Sequence, residues 1–262
     1  MTHVPRKRFG QHFLHDASVL EAIVEAIAPR EGERLVEIGP GTGALTERLL
    51  ARVAHLDAVE IDRDLVGRLR ARWSASRLTV HEADALSFDF GSLAAAGPIR
   101  LAGNLPYNIS SPLLLRLVPL ASTLIDAHFM LQKEVVERVA AAPGGADYGR
   151  LTVMLQAYFD AQRLFDVGPE AFDPPPRVQS SVVRLRPLPV PRVHSAEALA
   201  AVTAAGFGQR RKMLRGTLLP WLERHGVDPG LRRFGLDPTA RPETVPVATW
   251  ALLADALAEA RR

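Results

Sequence analysis

Short apolar runs alternate with amphipathic stretches along most of this chain, and that alternation sets the expected fold. Leu35 to Ile38, Leu56 to Glu60, Leu78 to His81, Ile99 to Gly103 and Ala127 to Leu131 have the length and character of buried strands. Between them, Ala44 to Val53, Leu65 to Arg72, a segment opened by Pro112, and Glu134 to Ala141 place apolar residues at helical spacing. Ahead of the first strand, Asp16 is positioned to cap a helix whose apolar face is Val19, Leu20, Ile23, Val24 and Ile27. Strand and helix taken in turn predict a doubly wound, Rossmann-like parallel sheet of the α/β class. Arg163 to Val167 and Val182 to Arg186 predict an antiparallel pair closing that sheet around the loop Gly168 to Ser181.

Beyond residue 187 the pattern changes. Pro187, Pro189 and Pro191 make a stiff linker. After it, Ala196 to Ala205, Arg211 to Arg224 and Val247 to Ala260 all carry helical periodicity, and no strand pattern follows. Two domains are therefore expected: an α/β domain over residues 1–187 and a smaller all-α domain over residues 188–262.

Composition narrows the choice of chemistry. The 262 residues contain no cysteine, which excludes disulfides, thiolate catalysis and cysteine zinc sites, and suits a cytoplasmic protein. No run approaches the roughly 20 apolar residues of a membrane span, so no membrane partner is expected. The basic start lacks the apolar core of a secretory signal. The eight histidines show no metal-ligand spacing, so no metal is expected. The net charge of +3 is modest until it is located. Arg6, Lys7 and Arg8 form one run without an acid, and Arg210, Arg211, Lys212 and Arg215 form another. Together they exceed the net charge of the whole chain, and clustered charge of this kind is an electrostatic footprint for a polyanion. On helical spacing, Arg211 and Arg215 are expected to share one face.

The candidate chemistry sits at the strand ends. Glu37-Ile-Gly-Pro-Gly-Thr-Gly43 falls where the first strand meets its helix, and glycines there let a ligand approach the backbone. Glu60 ends the second strand and could accept hydrogen bonds from ribose hydroxyls; Asp84 follows the third and could accept from an adenine amine. Gly39, Gly41 and Ala44 also satisfy the loose dinucleotide pattern, with Glu60 about 20 residues on. The fourth strand end decides against hydride transfer. Asn104-Leu-Pro-Tyr107 offers the Asn104 amide oxygen, the Leu105 carbonyl, a stiff Pro106 and the Tyr107 ring. Two acceptors beside an aromatic face suit an exocyclic amine on a flat base, held with its lone pair aimed at the methyl group of S-adenosylmethionine. Phe172, ahead of three prolines, could present a second ring to the base.

These segments together resemble a known family. Arg6-Lys-Arg-Phe-Gly-Gln-His-Phe-Leu14, Val36-Glu-Ile-Gly-Pro-Gly-Thr-Gly43, Gly103-Asn-Leu-Pro-Tyr-Asn-Ile-Ser110, Phe172-Asp-Pro-Pro-Pro-Arg-Val178 and Phe207-Gly-Gln-Arg-Arg-Lys212 stand in the order seen in ribosomal RNA small subunit adenine dimethyltransferases. The resemblance runs essentially end to end. It implies a monomeric enzyme that uses S-adenosylmethionine to dimethylate N6 of two adjacent adenosines in a hairpin near the 3′ end of 16S rRNA, as part of small-subunit maturation. It also implies that His12, Leu14, Gly39, Gly41, Glu60, Asp84, Ala85 and Asn104 contact the cofactor. Catalytic roles are implied for Asn104, Leu105 and Pro106, with Tyr107 and Phe172 stacking on opposite faces of the target adenine. Many relatives carry asparagine where this chain has His12, and a backbone contact tolerates either.

Overall fold

In a computed structural model, which describes residues 11–228 and 234–262, a seven-stranded sheet forms the centre of the first of two compact units. Its strands are β2 (Arg34–Ile38), β3 (Leu56–Glu60), β4 (Leu78–Glu82), β5 (Ile99–Asn104), β6 (Leu124–Gln132), β7 (Phe159–Val167) and β9 (Ser180–Pro187), in the order β4-β3-β2-β5-β6-β9-β7. The five strands from β4 to β6 run parallel, and β9 joins β6 antiparallel. The Ser181 hydroxyl meets the Phe165 carbonyl and Arg184 meets Gln162, so β9 and β7 run in opposite senses, as the sequence predicts. A short extra pair lies outside this sheet, β1 (Phe13–Leu14) against β8 (Phe172–Asp173).

The chain winds from β2 outward through β3 to β4, then returns to β5 on the other side of β2. The sheet therefore reverses direction between β2 and β5, and ligands of such folds lie beyond the carboxyl ends of the strands at that point. Gly103 lets the two strand ends close up. A Cβ there would come within 2.2 Å of the Ile38 carbonyl oxygen, which no side chain tolerates.

Helices α1 (Ala17–Ile27), α2 (Ala44–Leu50), α3 (Arg63–Arg72), α4 (Phe90–Ala94), α5 (Ser110–Arg116) and α6 (Lys133–Ala140) follow strands β1 to β6 in turn. Asp16 caps α1 as expected, accepting from the Ser18 and Val19 N–H groups. Leu20, Ile23, Val24 and Ile27 bury its apolar face with Leu35, Leu49, Leu56 and Ala102. At the other end of α1, Ala28 adopts a left-handed cap (φ 45°), and the Arg100 guanidinium donates to the Ile27 and Ala28 carbonyls while pairing with Asp126 and Glu33. Burial alone would raise the Asp126 carboxyl, but the Arg100 guanidinium bonded to both of its oxygens, with the His128 ring 3.6 Å away, holds it down at about 2. Helix α2 is shorter than its pattern, ending at Leu50.

The second unit takes residues Glu137–Ala161 together with Pro187–Arg262. The boundary at 187 is thus one crossing of several, because helix α7 (Arg150–Gln156) packs with the C-terminal helices rather than with the sheet. Its apolar face is too short to stand out in sequence. Helix α8 (Ala196–Phe207) and the last helix, Val247–Ala260, form the core of this unit around Trp250, Leu199, Val202 and Leu253. The Tyr148 hydroxyl donates to the Val245 carbonyl at 2.7 Å. Among the described residues no helix is long and apolar enough to cross a membrane.

One expected helix is broken. Arg211 to Arg224 is not continuous: residues 208–212 form turns, Leu214–Gly216 is one 3₁₀ turn, and only α9 (Leu218–Arg224) is α-helical. Gly208 and Gly216 bracket the segment, and the like charges of Arg211 and Arg215, four positions apart, oppose helix formation. The Leu214 N–H donates instead to the Ala240 carbonyl, and the Arg215 N–H to that of Pro238.

Candidate active site

The four strand ends that carried the sequence reading converge on one cleft. His12, Leu14, Gly39, Gly41, Glu60, Asp84, Ala85, Asn104, Leu105, Pro106 and Tyr107 all line it. The loop after β2 is shaped by Gly39, Gly41 and Gly43, with φ of 69°, 59° and 86°, a backbone region that side chains rarely adopt. The Gly39 N–H donates to the Val59 carbonyl at 2.9 Å, which fixes the loop to β3.

Glu60 is 6% exposed at the end of β3. One carboxylate oxygen accepts from the Gly41 N–H at 3.2 Å and the other from the Asp62 N–H at 2.9 Å. Burial raises its pKa, and the backbone donors at Asp62, Gly41 and Ile61 oppose the rise. Each oxygen retains acceptor capacity after one backbone bond. Asp84 spends one oxygen on its own turn, accepting from the Leu86 N–H at 2.8 Å, and is otherwise exposed in the cleft wall.

Glu37 also lines the cleft, and the sequence pattern assigned it no role. It is 1% exposed within β2, behind the glycine loop. Burial, reinforced by the nearby Glu60 charge, raises it to about 7, while the Thr46 hydroxyl donates to it at 2.6 Å and opposes the rise. The signal was present: an acid inside an otherwise apolar buried strand. Ile61, directly after Glu60, also lines the cleft, and it is one of the few large apolar residues left exposed.

At the end of β5 the Asn104 side chain is oriented by the N-terminal segment. Its Nδ2 donates to the His12 carbonyl at 2.9 Å, which commits the amino side of the amide and leaves Oδ1 as an acceptor. The Leu105 N–H is taken by the Met130 carbonyl, and the Leu105 carbonyl accepts no hydrogen bond among the described residues. The Pro106 carbonyl accepts from the Ile109 N–H and the Ser110 hydroxyl, tying the turn to α5. Tyr107 lies half-buried, its ring stacked on the His12 imidazole with centroids 5.8 Å apart and planes at 27°. Its hydroxyl meets Ser180 Oγ at 2.8 Å.

Residues Gln11–Leu14 cross the strand ends as a strap. Gln11 Nε2 donates to Asp62 at 3.1 Å, Phe13 lies against Gly41, and His12 Nδ1 donates to the Pro174 carbonyl at 2.7 Å. A Cβ on Gly41 would approach the Phe13 ring to 3.0 Å. The β1–β8 pairing behind this strap corrects one expectation. Phe172 does not line the cleft: it pairs with Leu14, is 3% exposed, and belongs to the core with Val24, Val167 and Val182. Pairing turns its ring inward, where burial of an aromatic side chain is most favourable.

The basic residues divide likewise. Arg6, Lys7 and Arg8 lie outside the described residues. Arg210, Arg211, Lys212 and Arg215 are all exposed in the second unit, on turns rather than on a helix face. Arg210 is partly committed within the protein, donating to the Ala146 carbonyl and standing 3.9 Å from Glu243. Among the described residues no group of three or more His, Cys, Asp or Glu side chains is placed to hold a metal.

A cleft lined by a glycine loop, strand-end acids and an Asn-Leu-Pro-Tyr turn, at the switch point of a doubly wound sheet, is the arrangement of a Rossmann-like methyltransferase. The model of the family described as ribosomal RNA adenine dimethylase matches residues 2–259. The chain is 57% identical over 260 residues to ribosomal RNA small subunit methyltransferase A of Bordetella petrii, spanning 98% of this chain and 97% of that one. It is 53% identical over 256 residues to the protein of the same name from Laribacter hongkongensis, covering 97% and 96%. This protein belongs to the ribosomal RNA adenine dimethylase family. Among solved structures, a dimethyladenosine transferase from Plasmodium falciparum shares the fold (TM-score 0.79, 24% identity, 92% of this chain and 96% of that one). The 23S rRNA methyltransferase ErmE matches with TM-score 0.72 and 27% identity over 94% and 99%.

Proposed function

We propose that this protein transfers methyl groups from S-adenosylmethionine to N6 of two adjacent adenosines in a hairpin near the 3′ end of 16S rRNA, giving N6,N6-dimethyladenosine during small-subunit maturation. The observation that carries the reading is the Asn104 amide. Its Nδ2 is anchored to the His12 carbonyl, so Oδ1 stands as an acceptor beside the Leu105 carbonyl in a cleft that also holds the Tyr107 ring. The names of the relatives, ribosomal RNA small subunit methyltransferase A at more than half identity over nearly the whole length, support small-subunit rRNA as the substrate class.

The cleft fits the cofactor. Glu60 keeps acceptor capacity on both oxygens, which suits two adjacent ribose hydroxyls, and the glycine loop follows a positive-φ path that packs closely against Phe13 and Trp73 and exposes its backbone to the cleft. When bound, S-adenosylmethionine supplies a methyl group on a positively charged sulfur. The protein must then make a poor nucleophile adequate, because the adenine N6 lone pair is delocalised into the ring. Asn104 Oδ1 and the Leu105 carbonyl would each take one N6–H, leaving the lone pair pointing out of the ring plane. Pro106 fixes the turn that presents both acceptors. Tyr107 would stack on the base and exclude water from one face. Removing an adenosine from its stack costs a few kcal/mol, and base–aromatic stacking returns about 1–3 kcal/mol. A monomer in the cytoplasm, working on rRNA within the small subunit or its precursor, completes the reading.

Incubation with small-subunit rRNA particles and labelled cofactor, followed by mass spectrometry of the 3′ hairpin, tests the assignment. Two dimethylated adenosines are expected; label on any other nucleotide overturns the substrate. The helical unit is proposed to grip rRNA phosphates through Arg211, Lys212 and Arg215, with Arg210 contributing less because it is bonded within the protein. Changing those three to alanine should flatten the slope of log affinity against log salt by about 2–3 and leave cofactor affinity intact. An unaltered slope would make the patch a solvated face.

A further inference from the structure

Ser180 is completely buried, yet its hydroxyl is spent on a cleft side chain rather than on the sheet around it. It opens β9, opposite Gln132 of β6, and the neighbouring Lys133 N–H donates to the Gln179 carbonyl at 3.0 Å. Backbone pairing therefore fixes Ser180 Oγ, and the Tyr107 hydroxyl is held to that point at 2.8 Å. The Tyr107 ring is restrained twice: at its hydroxyl by Ser180 and on one side by the His12 imidazole. Without Ser180 Oγ the half-buried phenol would have no partner, and a ring held at one point only can tilt. The plane of a base stacked on Tyr107 follows the plane of the ring.

We propose that Ser180 is a positioning residue that sets the plane of the target adenine through Tyr107, and that the second methyl transfer depends on it more than the first. This inference rests on the adenine-dimethylating function proposed above. In each transfer an N6–C bond forms as the S–CH₃ bond breaks, the bonding pair stays on sulfur to leave S-adenosylhomocysteine, and N6 releases one proton to water. Unmethylated N6 carries two N–H groups, one for Asn104 Oδ1 and one for the Leu105 carbonyl. N6-methyladenosine carries a single N–H, so one of the two acceptors has nothing to hold. Alignment in the second transfer then relies on stacking, and stacking relies on the Tyr107–Ser180 contact.

The test compares wild type, Ser180→Ala, Tyr107→Phe and the double variant in single-turnover assays that resolve mono- and dimethyladenosine. Each single change removes the same hydrogen bond, so each should slow the second transfer by about three- to tenfold and the first by less, with monomethyl product accumulating. The double variant should be no slower than either single one. A hairpin carrying 2-aminopurine at the target position, with no cofactor present, gives an independent readout: its quenching by stacking should weaken in both single variants. Should Ser180→Ala fail to fold, Tyr107→Phe carries the same prediction. An unchanged ratio of mono- to dimethyl product, or additive losses in the double variant, overturns the proposal. Failure of the wild type itself to dimethylate adenosine would instead overturn the function on which it rests.

Discussion

Replacing Asn104 with alanine should slow methyl transfer by about 10²–10³-fold while changing cofactor affinity less than about tenfold. The expectation follows from where the amide is anchored. Its Nδ2 is tied to the His12 carbonyl, which leaves Oδ1 as an acceptor in the strand-end turn that also carries the Leu105 carbonyl. On the proposed mechanism alanine removes the oxygen that would align N6 and stabilise charge building on it as the new bond forms, so the loss should fall on the chemical step. Single-turnover rates at saturating cofactor measure this directly, and a rate within fivefold of wild type would remove Asn104 from the chemistry. Glu60→Ala provides the converse. With both carboxylate oxygens lost from a site that would hold two ribose hydroxyls, affinity for S-adenosylmethionine should fall by roughly 1.5–3 kcal/mol. Calorimetric titration separates the two variants, and an unchanged Glu60→Ala dissociation constant would count against the whole strand-end arrangement.

Phe172→Ala should destabilise the protein by about 3–5 kcal/mol, because it empties a core position rather than a stacking surface. The ring is 3% exposed, and it packs with Leu14 and Val24 behind the strap that crosses the cleft. Chemical denaturation gives the loss directly. The strap should loosen with it, since β8 holds β1, so weaker cofactor binding is expected as a secondary effect. A stability within about 1 kcal/mol of wild type, together with a large fall in transfer rate, would return Phe172 to the role of a base-stacking ring.

Much of the first unit was legible because its parallel strands are buried on both faces and so appear as unbroken apolar runs. Leu56–Glu60 is a strand to the residue, and the last helix matches Val247–Ala260. The convergence of the candidate residues was legible for a related reason: in a doubly wound sheet the strand ends face one crevice, and Gly41, Glu60, Asp84 and Asn104 do line one cleft. Short elements were not legible. Helix α7 is seven residues, too few for a period to register, and its packing assigns Glu137–Ala161 to the helical unit. The basic run at Arg210–Arg215 has helical spacing, but Gly208, Gly216 and crowded positive charge give it turns.

The sequence by itself determined the sheet, its switch point and the family, because those depend on periodicity and on residue types at strand ends, which are local properties of the chain. Only the tertiary structure decided what each side chain faces. Phe172 turned inward because β8 found β1, some 160 residues away in sequence. Asn104 acquired a fixed orientation from the His12 carbonyl. Glu37 became a buried acid raised to about 7 because the core closed around it, with the Glu60 charge adding to the rise. Contacts between distant segments, and the desolvation they impose, have no counterpart in the local pattern of a sequence.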